Sequence, residues 1–298
     1  MFPVQQLPEN LALSFAGEAA GDAFELSAAQ ARRFLAAPNV HGKPNGDVVR
    51  PRAGVADLRG APRQRWIIDF PPDMEEREAA LYALPFAHLR RRVKPGRSPR
   101  CGRWWIHRRP RSAMRAALAK RDRFIAAATI SKRRVFVWLP PETLPDRPLT
   151  VFARDDDWFF GVLHSRFLDL WARCLGPQLR EARPDFRFTP TSCFATFPFP
   201  WPPATPLGRL TRAQDEQRTA IAHAARALDG LRVDWLGDRA DPTRTLTALY
   251  KDPPEWLQRA HAALDETVAG AYGWPAGLPE DEIVTRLLAL NRERGTAR

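Results

Sequence analysis

Three apolar runs, at 123–130, 134–139 and 149–154, decide the fold through Phe124-Ile125-Ala126-Ala127-Ala128-Thr129-Ile130, Val135-Phe136-Val137-Trp138-Leu139 and Leu149-Thr150-Val151-Phe152-Ala153. Each is short, rich in β-branched or aromatic residues, and bounded by basic residues or proline, the signature of buried strands. Further along, Asp155-Asp156-Asp157 reads as a turn and Trp158-Phe159-Phe160-Gly161-Val162-Leu163 as a further buried strand. Residues 165–175 then place Phe167, Leu168, Leu170, Trp171 and Leu175 on one broad side of a helix. In the other direction, 112–119 reads as a short helix, 104–107 as a strand and 65–70 as a buried strand.

The ends of the chain differ from this strand-rich centre. The first eighty residues form an irregular lobe in which Ser27-x-x-Gln30 is a capping box opening a helix that Pro38-Asn39 stops. Residues 42–62 read as loop, and Asp73 as the cap of a helix that includes Ala79, Ala80, Leu81 and Tyr82 and ends near Pro85. Residues 194–206 carry too many prolines for a helix or central strand and read as an aromatic strap. Helices follow at 211–228, opened by a second capping box at Thr211-x-x-Gln214, at 255–271 and at 280–294. The expected fold is α+β, a mixed or antiparallel sheet region flanked by helices and followed by a small C-terminal helical bundle. The boundary is expected at 204/205, giving domains 1–204 and 205–298.

The charge is concentrated. Of 298 residues, 46 are Lys or Arg and 34 Asp or Glu, for a net charge of +12. Residues 85–140 hold 17 of the basic side chains and one acid, Asp122, so this segment carries +16 and the remainder is slightly acidic. Arginine dominates, which favours planar contacts with phosphate and guanine edges. Lys94, Arg97, Arg103, Arg108, Arg111, Lys132, Arg133 and Arg134 are the candidate polyanion-binding residues. Trp104 and Trp105 lie among them and admit two readings, stacking on bases or anchoring a basic layer to a core.

Motifs for catalysis are missing from these residues. There is no Gly-x-x-x-x-Gly-Lys-Ser/Thr loop and no Gly-x-Gly-x-x-Gly, and the glycines of Phe15-Ala16-Gly17-Glu18-Ala19-Ala20-Gly21 are wrongly spaced for a methyl-donor loop. Asp252-Pro253-Pro254-Glu255 approaches the tetrapeptide with which amino-methyltransferases hold a flipped base, but Glu255 cannot stack, and the prolines read as a helix start. Three widely spaced cysteines and six scattered histidines give neither a disulfide framework nor a metal site. Without a signal peptide or membrane-length apolar run, a cytoplasmic protein with no membrane partner is expected.

Several segments, taken in order, resemble a known family: Gly42-Lys43-Pro44-Asn45-Gly46-Asp47, Trp66-Ile67-Ile68-Asp69-Phe70, Val93-Lys94-Pro95-x-Arg97, Trp104-Trp105, Ser131-Lys132-x-Arg134-x-Phe136, Gly161-Val162-Leu163-His164-Ser165-Arg166-Phe167 and Thr196-Phe197-Pro198-Phe199-Pro200. Together they resemble the target-recognition region of MmeI-like DNA methyltransferases, large type II restriction-modification proteins that join nuclease, adenine-methyltransferase and recognition domains. The C-terminal helical region of that family is resembled by Arg244-Thr245-Leu246-Thr247-x-Leu249-Tyr250, His261-x-x-Leu264-Asp265 and Ala271-Tyr272-Gly273-Trp274-Pro275.

The resemblance implies that residues 1–204 recognise a DNA target, with double-stranded DNA as partner. The family's methyl-donor loop and Asn-Pro-Pro-Tyr motif are not among these residues, so no catalytic or cofactor-binding residue is assigned. S-adenosyl-methionine would belong to a methyltransferase domain or separately encoded subunit, with which a nuclease could also be associated. The alternatives are a remnant of a longer gene and a non-catalytic scaffold for RNA or DNA. His164-Ser165-Arg166 is expected at a strand-to-helix junction, where a helix N-terminus and an arginine grip a phosphate.

Overall fold

The computed structural model describes residues 4–60, 64–98, 102–132, 134–175, 186–237, 241 and 243–296. The N-terminal third contains β1 (Ser14–Ala16), β2 (Glu25–Leu26), α1 (Ala28–Ala36), β3 (Val49–Ala53), α2 (Val55–Leu58), β4 (Arg65–Ile68), α3 (Glu76–Ala79) and α4 (Ala83–Arg92). The centre contains α5 (Ser112–Leu118), β5 (Phe124–Ala128), β6 (Ile130–Ser131), β7 (Phe136–Leu139), β8 (Leu144–Pro145) and β9 (Leu149–Phe152). Then come α6 (Asp157–His164), α7 (Arg166–Leu175), β10 (Phe186–Arg187), α8 (Arg212–Leu236), α9 (Leu246–Lys251), α10 (Glu255–Tyr272) and α11 (Glu280–Thr296). The class is α+β, as expected. Among the described residues no helix is long and apolar enough to cross a membrane.

The three opening runs form the central sheet. Its order is β1-β9-β5-β7, antiparallel throughout, with Ile125 opposite both Trp138 and Phe152. Strand alternation divides its side chains between two cores. Phe124, Ala126 and Val151 face Met114 and Leu118 of α5 and Leu58 of α2. Ile125, Ala127 and Phe152 face α6 and α7. A second sheet, β2-β4-β3-β8, is antiparallel except where β3 runs parallel to β8. It belongs to a third core, which holds Phe34, Ile67, Phe70, Tyr82 and both Trp104 and Trp105. A two-stranded ladder joins β6 to β10.

Residues 158–163 are helix, not strand. Asp156 caps α6 by accepting a hydrogen bond from the backbone N–H of Phe159 at 3.2 Å. Every residue from Trp158 to His164 is buried, because α6 lies between the central sheet and α8. A continuous apolar run of this length fits either a strand or a helix enclosed on all sides, and periodicity cannot separate them. Residues 104–107 are also not a strand; they form a turn and a bend, with Trp104, Trp105 and Ile106 held in the third core. Asp73 does not cap the expected helix: α3 starts after Glu75 and stops at Ala79, and α4 carries Pro85 in its first turn and runs past it to Arg92.

Both capping boxes are present, at Ser27/Gln30 and Thr211/Gln214. The core containing α6 continues without interruption across residue 204 into α8, α9, α10 and α11. The strap has no ladder for its carbonyls, so side chains satisfy them. Asn10 donates to the Phe197 carbonyl at 2.7 Å, Asn291 to that of Thr196 at 2.7 Å, Tyr272 to that of Pro198 at 2.8 Å and Arg294 to that of Phe199 at 2.6 Å.

Helix α6 approaches α8 closely only because residue 161 is glycine. A Cβ there would lie 2.7 Å from Ile221 Cγ2 and 3.1 Å from Ala225 Cβ. Gly161→Ala is therefore expected to destabilise the fold by about 1–3 kcal/mol despite alanine's better helix propensity. Urea unfolding checks this, and an unchanged or raised midpoint would contradict the packing described.

Candidate nucleic-acid interface

The first part of the basic segment, through Phe86, Leu89, Val93, Trp104, Trp105 and Ile106, packs on the third core, and the rest continues into α5 and the central sheet. Trp104 and Trp105 are each 4% exposed, and their indole N–H groups donate to Glu76 Oε1 and the Met74 carbonyl, both at 3.1 Å. A base could not stack on either ring without opening this packing, so of the two readings of the pair, the structure supports core anchors. The ammonium of Lys94 sits 5.1 Å from the Trp104 ring centroid. Arg97 donates to the Ile106 carbonyl at 2.8 Å and Arg103 to that of Pro72 at 2.6 Å. These contacts tie residues 94–98 and 102–107 to the third core while leaving Lys94 and Arg103 exposed.

Beneath the turns lies a buried charge cluster. Arg115 of α5 donates to Glu18 Oε2 at 2.8 Å and to Asp69 Oδ1 at 2.7 Å, and the backbone N–H of Arg111 donates to the same Glu18 oxygen at 3.2 Å. His107 Nε2 lies 3.3 Å from Asp69 Oδ1. Burial pushes the Asp69 pKa up, but His107 and Arg115 outweigh it and hold this carboxyl well below the usual carboxylate range. The cluster anchors the backbone at 107, 111 and 115, and the side chains of Arg108, Arg109 and Arg111 extend into solvent from that anchored stretch.

Four arginines of the segment are committed elsewhere. Arg115 serves the buried cluster, Arg121 pairs with Asp155 at 3.4 Å, Arg123 with Asp157 at 2.6 Å, and Arg134 with Asp169. Arg134, only 7% exposed at its side chain, is thus a framework residue rather than a free cation. Arg90, Arg91, Arg92, Lys94, Arg103, Arg108, Arg109, Arg111, Lys120 and Lys132 are exposed and have no carboxylate partner among the described residues. Arg90 to Arg92 occupy the last turn of α4, where cations also favour the helix dipole. Arg133 lies outside the described residues.

His164-Ser165-Arg166 is a corner between two helices, not a strand-to-helix junction. His164 is buried: Arg232 Nη1 donates to its Nε2 at 2.8 Å, and its Nδ1 lies 3.2 Å from the Phe160 carbonyl. Burial, then the charge of Arg232, hold it well below its ordinary pKa and therefore neutral. Ser165 Oγ donates to the Val162 carbonyl at 2.7 Å and has no exposure. Arg166 donates its backbone N–H to Asp265 Oδ1 at 2.8 Å and its side chain to the Leu278 carbonyl. The tripeptide joins α7 to α10 and the turn before α11, and His164 and Ser165 offer no surface to a phosphate.

Two cations that the charge division passes over complete a different feature. Arg59, just after α2, and Lys251, at the end of α9, meet Lys132 around a cavity of about 570 Å³. Its walls include Leu58, Ile130, Val135 and Tyr250. The Leu246 backbone N–H donates to the Arg59 carbonyl at 2.8 Å, holding the two sides together. No local sequence signal joins these positions; they meet only through the tertiary fold.

No family model and no curated protein matches the sequence. Among solved structures, the chain is similar to the Type IIL restriction-modification enzyme MmeI, solved in complex with DNA, with a TM-score of 0.68 and 17% identity. The likeness covers 99% of this chain and 37% of that one, so these residues correspond to little more than a third of the larger protein and share its fold over that part.

Proposed function

We propose that this chain is the DNA target-recognition portion of an MmeI-like restriction-modification system. It engages double-stranded DNA through the exposed cations of residues 85–140 and directs an adenine methyltransferase domain or subunit outside these residues. That domain would bind S-adenosyl-methionine and hold the flipped adenine; no residue here is assigned to either task. The observation that carries the reading is the set of exposed cations without a carboxylate partner among the described residues, Lys94, Arg103, Arg108, Arg109, Arg111 and Lys132, on a fold similar to one solved with DNA. Such cations position a duplex through its phosphates, and base edges then supply the sequence readout.

Selection from a pool of duplexes with randomised centres tests recognition as distinct from mere attraction to a polyanion. One short motif is expected to be enriched over successive rounds. Retention of the pool without enrichment would contradict the recognition role.

A further inference from the structure

The cavity enclosed by α2, α9 and the residues around β6 has a composition that selects a ligand class. Arg59, Lys132 and Lys251 stand at its edge, all exposed, and among the described residues they have no carboxylate partner and no acidic side chain lines the cavity. Between them the surface is apolar: Ile130 is 47% exposed, and Val135 and Tyr250 form the adjoining wall. The Tyr250 hydroxyl is taken by His261 Nε2 at 3.0 Å, so the ring presents an apolar edge. A ligand matching this site needs a flat, weakly polar body and at least one negative charge at its margin. A volume of about 570 Å³ lies within the range of small-molecule sites.

We infer that this cavity binds a single nucleotide unit, its phosphate on Arg59, Lys132 and Lys251 and its base against Ile130 and Val135. The same chemistry arises in a free nucleoside monophosphate and in an unpaired nucleotide of a DNA strand. A base in a paired stack cannot enter, since its faces are covered by its neighbours. In its DNA form the inference rests on the proposed DNA role, with which it shares Lys132; Arg59 and Lys251 belong to the cavity alone.

The test titrates the full chain with three probes: a paired duplex, the same duplex carrying one bulged 2-aminopurine, and free deoxyadenosine monophosphate, with inorganic phosphate as control. The wild type is expected to prefer the bulged duplex by about tenfold, with a rise in 2-aminopurine fluorescence distinct from that of the free probe. Arg59→Glu and Lys251→Glu should abolish that preference while leaving paired-duplex affinity within about threefold. Ile130→Asp, which alters the apolar floor from an exposed position, should abolish it independently. Unchanged circular dichroism establishes that the variants are folded.

Bulge preference together with competition by the free nucleotide supports the site and assigns it to a strand; nucleotide binding without bulge preference supports it as a free-nucleotide site. Equal competition by inorganic phosphate overturns the base-binding half. Duplex binding with neither bulge preference nor nucleotide binding overturns the inference and leaves the DNA role standing. Nucleotide binding lost in Arg59→Glu, without any duplex binding, upholds the inference and overturns the DNA role.

Discussion

Replacing Arg115 with methionine is expected to destabilise the fold by about 3–5 kcal/mol, a large part of the 5–15 kcal/mol that holds a typical domain together. The side chains of Glu18 and Asp69 are 0% and 1% exposed, and Arg115 is the cation they share. Removing it leaves Asp69 with His107 and a longer 3.4 Å contact from Arg50, and leaves Glu18 buried with the Arg111 backbone N–H. The pH dependence has a definite sign. Because the folded Asp69 pKa is depressed, its contribution is fully present above the unfolded value, about 3.9, and is lost as pH falls through the lower folded value. Wild-type stability should therefore show no loss from this group between pH 7 and 5, whereas in Arg115→Met the Asp69 carboxylate should begin to be lost at higher pH. Adding Glu18→Gln and Asp69→Asn should recover much of the loss if uncompensated charge is its cause. A single variant within about 1 kcal/mol of wild type by urea unfolding would contradict this account of the cluster.

That cluster also illustrates where sequence reading ends. Glu18 and Asp69 are 97 and 46 residues from Arg115, and Asp169 is 35 from Arg134. A charge count along the chain sees seventeen basic residues in one segment but not which of them distant acids have claimed. The central strands were legible because β5 and β9, each with one face toward each of two cores, are short continuous apolar runs with clear boundaries. The capping boxes were legible because their chemistry is local. Helix α6 was not, since complete burial removes the polar face that would have shown a helical period. The paired tryptophans looked equally suited to stacking and to anchoring, and only their burial separated the two. Arg59 and Lys251 carried no signal at all, because their meeting with Lys132 depends on how α9 docks against α2.

The second large effect concerns salt. If about six phosphates are contacted, the logarithm of affinity should fall with the logarithm of salt at a slope near −5, a loss on the order of a thousandfold between about 50 and 200 mM. Arg108, Arg109 and Arg111 leave the anchored stretch between His107 and Arg115 within four residues of sequence and have no carboxylate partner among the described residues. Replacing all three with alanine should weaken binding to every duplex similarly and make the slope shallower by about 3. The same change at Arg121, Arg123 and Arg134, whose charges are already paired, should leave the slope nearly unchanged while lowering stability. This contrast separates surface from framework within one segment.

The central claim, that the unpaired cations of residues 85–140 form the DNA-binding face, is tested most directly by duplex affinity across a salt series for the wild type and the Arg108/Arg109/Arg111 alanine variant. The predicted result is a wild-type slope near −5 that becomes shallower by about 3 in the variant. A flat wild-type response, or a variant with the wild-type slope, would contradict it.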